Sequence, residues 1–114
     1  MADKHPESFV CPVDWPLRLI KGKWKPMILW QLSARNRRYS DFQTALPYVS
    51  HKVLSQQLRQ LQSDGLIRRE AARRSSAATV EYELTEFGRT LRPALNALAS
   101  WGKTHRRPRA VVDS

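Results

Sequence analysis

Three side chains between positions 52 and 59 carry hydrogen-bonding groups that match the edges of nucleic-acid bases. Lys52, Gln56 and Arg59 are four and three residues apart, a spacing that places them on one face of an α-helix. Arginine can bond to guanine, and glutamine to adenine, through two parallel hydrogen bonds, whereas lysine can serve a base or a phosphate. The pattern predicts a helix face that binds a DNA major groove. The alternative is an ordinary solvated face.

Small polar residues accompany this face. Ser50, His51 and Ser55 lie near the start of the same predicted helix, where hydroxyl and amide groups often fix phosphates. For Ser50 the alternative is a helix N-cap and nothing more. Tyr39 and Ser40 begin the preceding helix, and we expect both to approach the DNA backbone. For Tyr39 the alternative is core packing against a following hairpin.

Two adjacent arginines, Arg73 and Arg74, occupy the predicted tip of that hairpin. Their guanidinium groups could enter a minor groove or pair with phosphates, and solvated charges are the alternative. The tip, residues 73–78, is small, polar and basic and contains no glycine. We therefore expect a mobile loop there rather than a tight two-residue turn.

The helix that must present the candidate face begins at Ser50 and ends at Gly65. At about 100° per residue its three leucines fall within roughly 60° of one another, so one side can pack while the other stays free. Two alternating stretches, 66–72 and 79–84, predict the hairpin. The buried leucines are Leu54, Leu58 and Leu61, and the apolar hairpin contacts are Leu66, Ile67, Val80, Tyr82 and Leu84.

Three helices are expected before this unit. One starts at Trp15 and ends at Gly22, and a second covers about 23–34. A third opens at Ser40, with Gln43 completing a capping box and Pro47 ending the helix. Their predicted inward-facing residues are Trp24, Met27, Ile28, Leu32, Phe42, Ala45 and Leu46.

One long helix is expected after the hairpin. Thr85 should cap it, Lys103 should lie near its end, and Pro93 should kink it. Its apolar positions recur at helical spacing and predict a continuous apolar face. They are Phe87, Leu91, Leu95, Leu98 and Trp101.

The charge balance favours a polyanionic partner. Twenty Lys plus Arg against ten Asp plus Glu give a formal net charge of +10 and a sequence pI of about 10.7. No acid occurs at 15–40 or 42–63, so the candidate DNA-binding region is free of acids on both sides of Asp41. Nucleic acid is the first expectation, and an anionic membrane surface the second.

The length and residue content narrow the remaining possibilities. The 114 residues suit one domain, without an apolar stretch long enough to span a membrane and without a secretion signal. The single cysteine cannot form an internal disulfide, and we expect a cytoplasmic protein. The three histidines are far apart and no glycine-rich phosphate loop occurs. We expect neither metal nor cofactor, and no enzymatic activity.

Six short segments occur together in an order and spacing typical of one family. With them the chain resembles the HxlR-type transcriptional regulators, a winged helix-turn-helix family related to the MarR-type regulators, over roughly residues 11–105. Tyr39 and Phe42 depart from it, because the family often has Phe and Leu there. The six segments are 11–13, 22–29, 38–42, 54–61, 64–69 and 80–88.

The resemblance implies a mainly α-helical fold with a small β-hairpin, in which the 50–63 helix enters the major groove and the hairpin is the wing. It also implies a homodimer formed by the N- and C-terminal helices. We accordingly expect a flexible arm at 1–13, a winged-helix DNA-binding and dimerisation domain at 14–104, and a basic disordered tail at 105–114. In some regulators that this chain resembles, a thiol near Cys11 senses electrophiles or oxidants. A buried, inert cysteine is the alternative.

Two functional hypotheses follow. The first is a homodimeric, sequence-specific regulator of a pseudo-palindromic double-stranded DNA operator, with repression as the usual mode for the resemblance. A small-molecule or electrophile effector, or thiol modification of Cys11, would control it. The second is a nonspecific nucleic-acid-binding architectural protein driven by charge.

Overall fold

The computed structural model describes residues 11–74 and 77–106. Within these ranges the chain forms helices packed around one antiparallel hairpin, so the predicted fold class is confirmed. None of these helices combines the length and the apolar character that a membrane span needs. The elements are α1 (Asp14–Leu19), α2 (Trp24–Ala34), α3 (Tyr39–Ala45), α4 (His51–Ser63), β1 (Ile67–Arg74), β2 (Ala77–Leu84), α5 (Glu86–Arg89) and α6 (Arg92–Thr104).

The core lies between α2, α4 and the base of the hairpin. Every predicted leucine of α4 is buried, which confirms its apolar stripe. In α2 the predicted face is wrong at Met27, which is 41% exposed, whereas Leu29 is fully buried. Leu29 lies about 60° from Leu32 on the helical wheel, and Met27 lies on the far side. The buried apolar residues are Ile28, Leu29, Leu32, Phe42, Leu46, Leu54, Leu58, Leu61, Leu66, Ile67, Tyr82, Leu84 and Leu95.

Helix α3 begins one residue earlier than predicted and uses a different cap. The Asp41 carboxylate accepts a 2.8 Å hydrogen bond from the Arg38 backbone N–H, so the pair that closes the first turn is Arg38 with Asp41. The predicted pairing of Ser40 with Gln43 is wrong. An acid in the first turn also complements the helix dipole, which an amide cannot do. Phe42 and Leu46 pack inward as predicted, but Ala45 is exposed.

The hairpin is longer than predicted. Ile67 pairs with Leu84 at its base, and the register continues until Arg74 lies opposite Ala77. The predicted loop is therefore wrong at residues 73, 74, 77 and 78, where backbone pairing continues without a glycine; residues 75 and 76 lie outside the described residues. Val80, predicted as an apolar contact of the hairpin, pairs with Ala71 and is 40% exposed.

A third backbone segment joins the hairpin at its base. The Arg37 N–H donates to the Tyr82 carbonyl at 3.1 Å, and the Tyr82 N–H donates back to the Arg37 carbonyl at 2.7 Å. Arg37 lies between α2 and α3, so the connection before the helix-turn-helix is hydrogen-bonded directly to β2.

The C-terminal helix is divided, contrary to the prediction of one kinked helix. Thr85 caps the short α5, whose Gly88 N–H donates to Thr85 Oγ1 at 2.9 Å. Thr90 and Leu91 then separate α5 from α6. Pro93 lies in the first turn of α6, where its missing N–H costs no hydrogen bond, so it helps to start a helix rather than kink one.

The bounds of α1 and α6 fall at Asp14 and Thr104. Most of the predicted arm at 1–13 and of the predicted tail at 105–114 lies outside the described residues. Both assignments therefore stay predictions.

Candidate nucleic-acid interface

Helix α4 presents the predicted face to solvent. The Ser50 hydroxyl accepts the Val53 N–H at 3.1 Å, which confirms its role as N-cap and fixes where the helix starts. Gly65, with φ of 78°, ends the helix in a conformation that favours glycine. Between these ends the leucines are buried, and the side chains that could reach base edges are exposed. The latter are Lys52, Gln56 and Arg59.

The cations on this face are not neutralised internally. Within residues 11–74 and 77–106, neither Lys52 nor Arg59 forms an ion pair. An unpaired ammonium or guanidinium group on an exposed helix can meet phosphate or base acceptors without first breaking a salt bridge. The face therefore carries positive charge that is available for binding a polyanion.

Arg69 on β1 lies beside this face of α4, and the sequence patterns considered above did not identify it. A cleft of about 380 Å³ separates α4 from β1 and is lined by Ser55, Leu58, Arg59, Gln62, Arg69 and Tyr82. Arg69 pairs with Tyr82, which places its side chain on the same strand face as the buried Ile67. Alternation from Ile67 along the strand could have identified it. Two arginines beside one cleft can hold an anionic oxygen.

Arg68 lies on the other face of the strand, and its guanidinium group is already paired with a carboxylate. Its Nε donates to Glu83 Oε2 at 2.6 Å, and this bond raises the pKa of the guanidinium. Adjacent arginines in one strand thus have different roles, because side chains alternate between faces.

The Tyr39 side chain packs against α4, whereas the alternative considered above was packing against the hairpin. Its hydroxyl lies 2.6 Å from His51 Nδ1, 3.1 Å from Ser55 Oγ and 3.1 Å from the His51 carbonyl oxygen. The two rings meet edge to face with centroids 5.1 Å apart. Three of the predicted site residues are therefore brought together at the start of α4, in a group that the sequence did not indicate.

The remaining predicted contacts differ in what can be said of them. Ser40 is exposed in the first turn of α3, beside Tyr39. Arg73 and Arg74 belong to β1, so the hairpin carries them beyond Arg69. Their side chains lie outside the described part of the chain, and their contacts stay predictions.

Asp41 is the one carboxylate between the start of α2 and the end of α4. The backbone N–H of Arg38 holds the pKa of this carboxyl below its usual range, and the nearby arginines act in the same direction. Arg35 lies 3.7 Å away from it. The one carboxylate of this stretch of sequence is thus offset by nearby cations.

Cys11 is exposed, which excludes the buried, inert alternative. It precedes α1, and its carbonyl accepts the Asp14 N–H at 3.0 Å. The next residue, Pro12, lines an open apolar groove of about 520 Å³ between α1 and α6. Leu98 and Trp101 line this groove and are 61% and 64% exposed. Among the described residues no group of His, Cys, Asp and Glu could hold a metal ion.

The comparisons with known proteins agree with this geometry. The family model described as HxlR-like helix-turn-helix matches residues 19–110. The uncharacterised HTH-type transcriptional regulator YybR of Bacillus subtilis (strain 168) is 36% identical over 102 residues, which cover 90% of this chain and 81% of that protein. YdeP, another such regulator of the same organism, is 40% identical over 96 residues, covering 84% and 74%. These relatives are transcriptional regulators, not enzymes.

Solved structures give the same result. The redox regulator HypR in its oxidised form superposes with a TM-score of 0.76 at 37% identity, covering 85% of this chain and 99% of that one. The reduced form of the regulator YodB from B. subtilis has a TM-score of 0.70 at 23% identity, covering 87% and 97%, and supports the fold alone.

Proposed function

The chain belongs to the HxlR-like helix-turn-helix family of DNA-binding transcriptional regulators, and on this basis we propose that it binds a pseudo-palindromic operator as a homodimer and represses transcription there. The observation that carries the proposal is the outer face of α4, exposed along its length and bearing cations without internal partners. The relatives and the neighbouring structures support the same class of activity.

The contacts divide by chemistry. Lys52, Gln56 and Arg59 recognise base edges in the major groove, because their long side chains project from the exposed face of α4. Phosphate contacts set the register of the helix on the duplex and come from residues around it. These are Ser40, Ser50, His51, Ser55 and Arg69, with Arg73 and Arg74 reaching the flanking backbone or minor groove.

The second subunit supplies the second half-site. The apolar groove between α1 and α6 exposes Leu17, Leu98 and Trp101 to water, and a second copy packing there would remove this surface from solvent. A two-fold axis would place two α4 helices in successive major grooves, about 34 Å apart. This arrangement explains why the operator should be pseudo-palindromic.

Binding measurements on two duplexes test the proposal. A duplex selected from a random library should bind at least about 1,000-fold more tightly than its scrambled form. Arg59→Ala should reduce the affinity for the selected duplex by about 1–3 kcal/mol, because one bidentate base contact is lost, and should change the scrambled duplex less.

Arg92→Ala provides the matched control, since it removes the same charge from an exposed position on α6. It should leave the preference for the selected duplex unchanged. Equal affinities for both duplexes across a salt titration would instead establish the nonspecific architectural protein.

We further propose that thiol modification of Cys11 regulates binding. Its exposure and the 37% identity to HypR, a redox regulator, support this. Because Cys11 is the single cysteine of the sequence, oxidation can join it only to the second subunit or to a small thiol.

Diamide treatment tests the thiol proposal. Two thiols give up two protons and two electrons to the diazene, which becomes a hydrazine, and one disulfide forms. We expect a covalent dimer by mass spectrometry and a change in operator affinity of about tenfold or more, corresponding to a coupling of roughly 1–3 kcal/mol. Cys11→Ser should not respond. Full modification with unchanged affinity would exclude this control.

A further inference from the structure

The Tyr39 hydroxyl lies within hydrogen-bonding distance of more atoms than its single proton can serve. It carries one hydrogen, yet three acceptor-capable atoms lie around it: His51 Nδ1 at 2.6 Å, Ser55 Oγ at 3.1 Å and the His51 carbonyl at 3.1 Å. Ser55 has a proton of its own and can donate to the Tyr39 oxygen. Two arrangements then remain: the phenol donates to His51 Nδ1, or a protonated Nδ1 donates to the phenolic oxygen while the phenol donates to the His51 carbonyl.

The first arrangement is favoured, because a phenol O–H is a stronger donor than a neutral imidazole N–H and an imidazole nitrogen is a stronger acceptor than a phenolic oxygen. A neutral imidazole has one donor nitrogen and one acceptor nitrogen, and the hydrogen bond on one determines the role of the other. When Nδ1 accepts from Tyr39, the ring proton resides on Nε2. Nε2 lies on the opposite side of the ring from Nδ1, and the His51 side chain is exposed. The ring thus offers an N–H donor away from Tyr39.

We propose that Tyr39 is a positioning residue, whose hydroxyl fixes the ring and the tautomer of His51 so that Nε2–H donates to a phosphate oxygen of the operator. The inference rests on the DNA-binding function proposed above and deepens it. Tyr39 acts through His51 and does not touch DNA through its hydroxyl. A phenylalanine would keep the ring packing but lose this control, so the hydroxyl is the specific element.

The geometry favours positioning over simple stabilisation. The ring of Tyr39 is already held by edge-to-face contact with His51 and by packing against the core. The hydroxyl adds bonds to two side chains near the start of the DNA-binding helix, and both have exposed or partly exposed surfaces. Without it, the His51 ring could rotate and exchange its nitrogens, and the donor direction would be lost.

A double-mutant cycle on the selected duplex measures the coupling. Tyr39→Phe should weaken binding about fivefold and His51→Ala about tenfold, magnitudes typical of one neutral and one charge-assisted hydrogen bond. In a Ser55→Ala background, which removes the second side chain bonded to the hydroxyl, the double variant should bind no more weakly than His51→Ala, because the hydroxyl then has no other side-chain route to DNA. The proposal is overturned if the losses in affinity from the two substitutions multiply in the double variant, or if Tyr39→Phe binds with wild-type affinity.

Nitrogen-15 NMR of the free protein provides a readout that does not depend on DNA. The His51 signals, assigned by their loss in His51→Ala, should show a protonated Nε2 and an accepting Nδ1, and Tyr39→Phe should shift the Nδ1 resonance. A protonated Nδ1 with a bare Nε2 would also overturn the proposal. If the wild type shows no preference for the selected duplex, the proposed function fails, and the NMR result still decides the tautomer.

Discussion

The Leu98→Glu variant is expected to be monomeric and to bind the selected operator at least about 100-fold more weakly than the wild type. Leu98 lies in the α1–α6 groove with more than half of its surface exposed, so the chain itself tolerates a carboxylate there. In a dimer the same carboxylate would be buried against apolar side chains, which costs several kcal/mol. Separated subunits then lose the gain in affinity from occupying two half-sites at once.

Sedimentation of the variant and the wild type at matched concentrations measures the first effect, and binding to whole and half operators measures the second. Asn96→Glu is the control, because Asn96 is exposed on α6 but does not line the groove. It should remain dimeric. If the Leu98→Glu variant is still dimeric, the subunit interface does not lie in this groove.

Gly88→Ala is expected to destabilise the folded state by about 3 kcal/mol, near the upper end for overpacking. A methyl group at Gly88 would lie 2.0 Å from the Leu66 carbonyl oxygen, a backbone atom that cannot move aside alone. The same oxygen accepts the Thr85 N–H at 3.0 Å. Relief of the clash must therefore disturb both the hairpin base and the cap of α5. Denaturant unfolding at fixed protein concentration measures the loss.

Gly102→Ala is the matched control for this experiment. It replaces a glycine in α6 with no neighbouring heavy atom within 4 Å of the new methyl group. Relative to glycine, alanine should stabilise the helix by about 0.5–1 kcal/mol. If the two variants shift the unfolding midpoint in the same direction and by the same amount, the close approach at Gly88 is not what limits stability.

The sequence was most informative where local chemistry and periodicity agreed. Ser50 before three leucines at helical spacing predicted both the cap and the buried side of α4, and the structure confirms them. The exposed side follows from the same wheel. Hydrogen bonds within four residues and a dominant apolar stripe act locally, so such a helix can be predicted without its neighbours.

Features that depend on distant residues were predicted poorly. The close approach of Gly88 to the Leu66 carbonyl joins residues twenty-two positions apart, which no local pattern encodes. The cleft that pairs Arg69 with α4 depends on strand register against Tyr82. Met27 was assigned to the core because it recurs at helical spacing with Trp24 and Ile28, although it lies at the edge of that set and its side chain is 41% exposed.

The reciprocal backbone hydrogen bonds between Arg37 and Tyr82 have a mechanical consequence. They attach the hairpin base to the peptide that leads into α3, while Leu58 and Leu61 of α4 share the core with Ile67 of β1, so the base of the hairpin is held to the helix-turn-helix on two sides. In the proposed complex with DNA, the distance between the contacts of the hairpin and those of α4 would then be set by the fold and could not adapt freely to the duplex. An operator whose groove width does not match this fixed distance would have to deform in order to bind. The protein would then discriminate between operator sequences also at base pairs that no side chain touches.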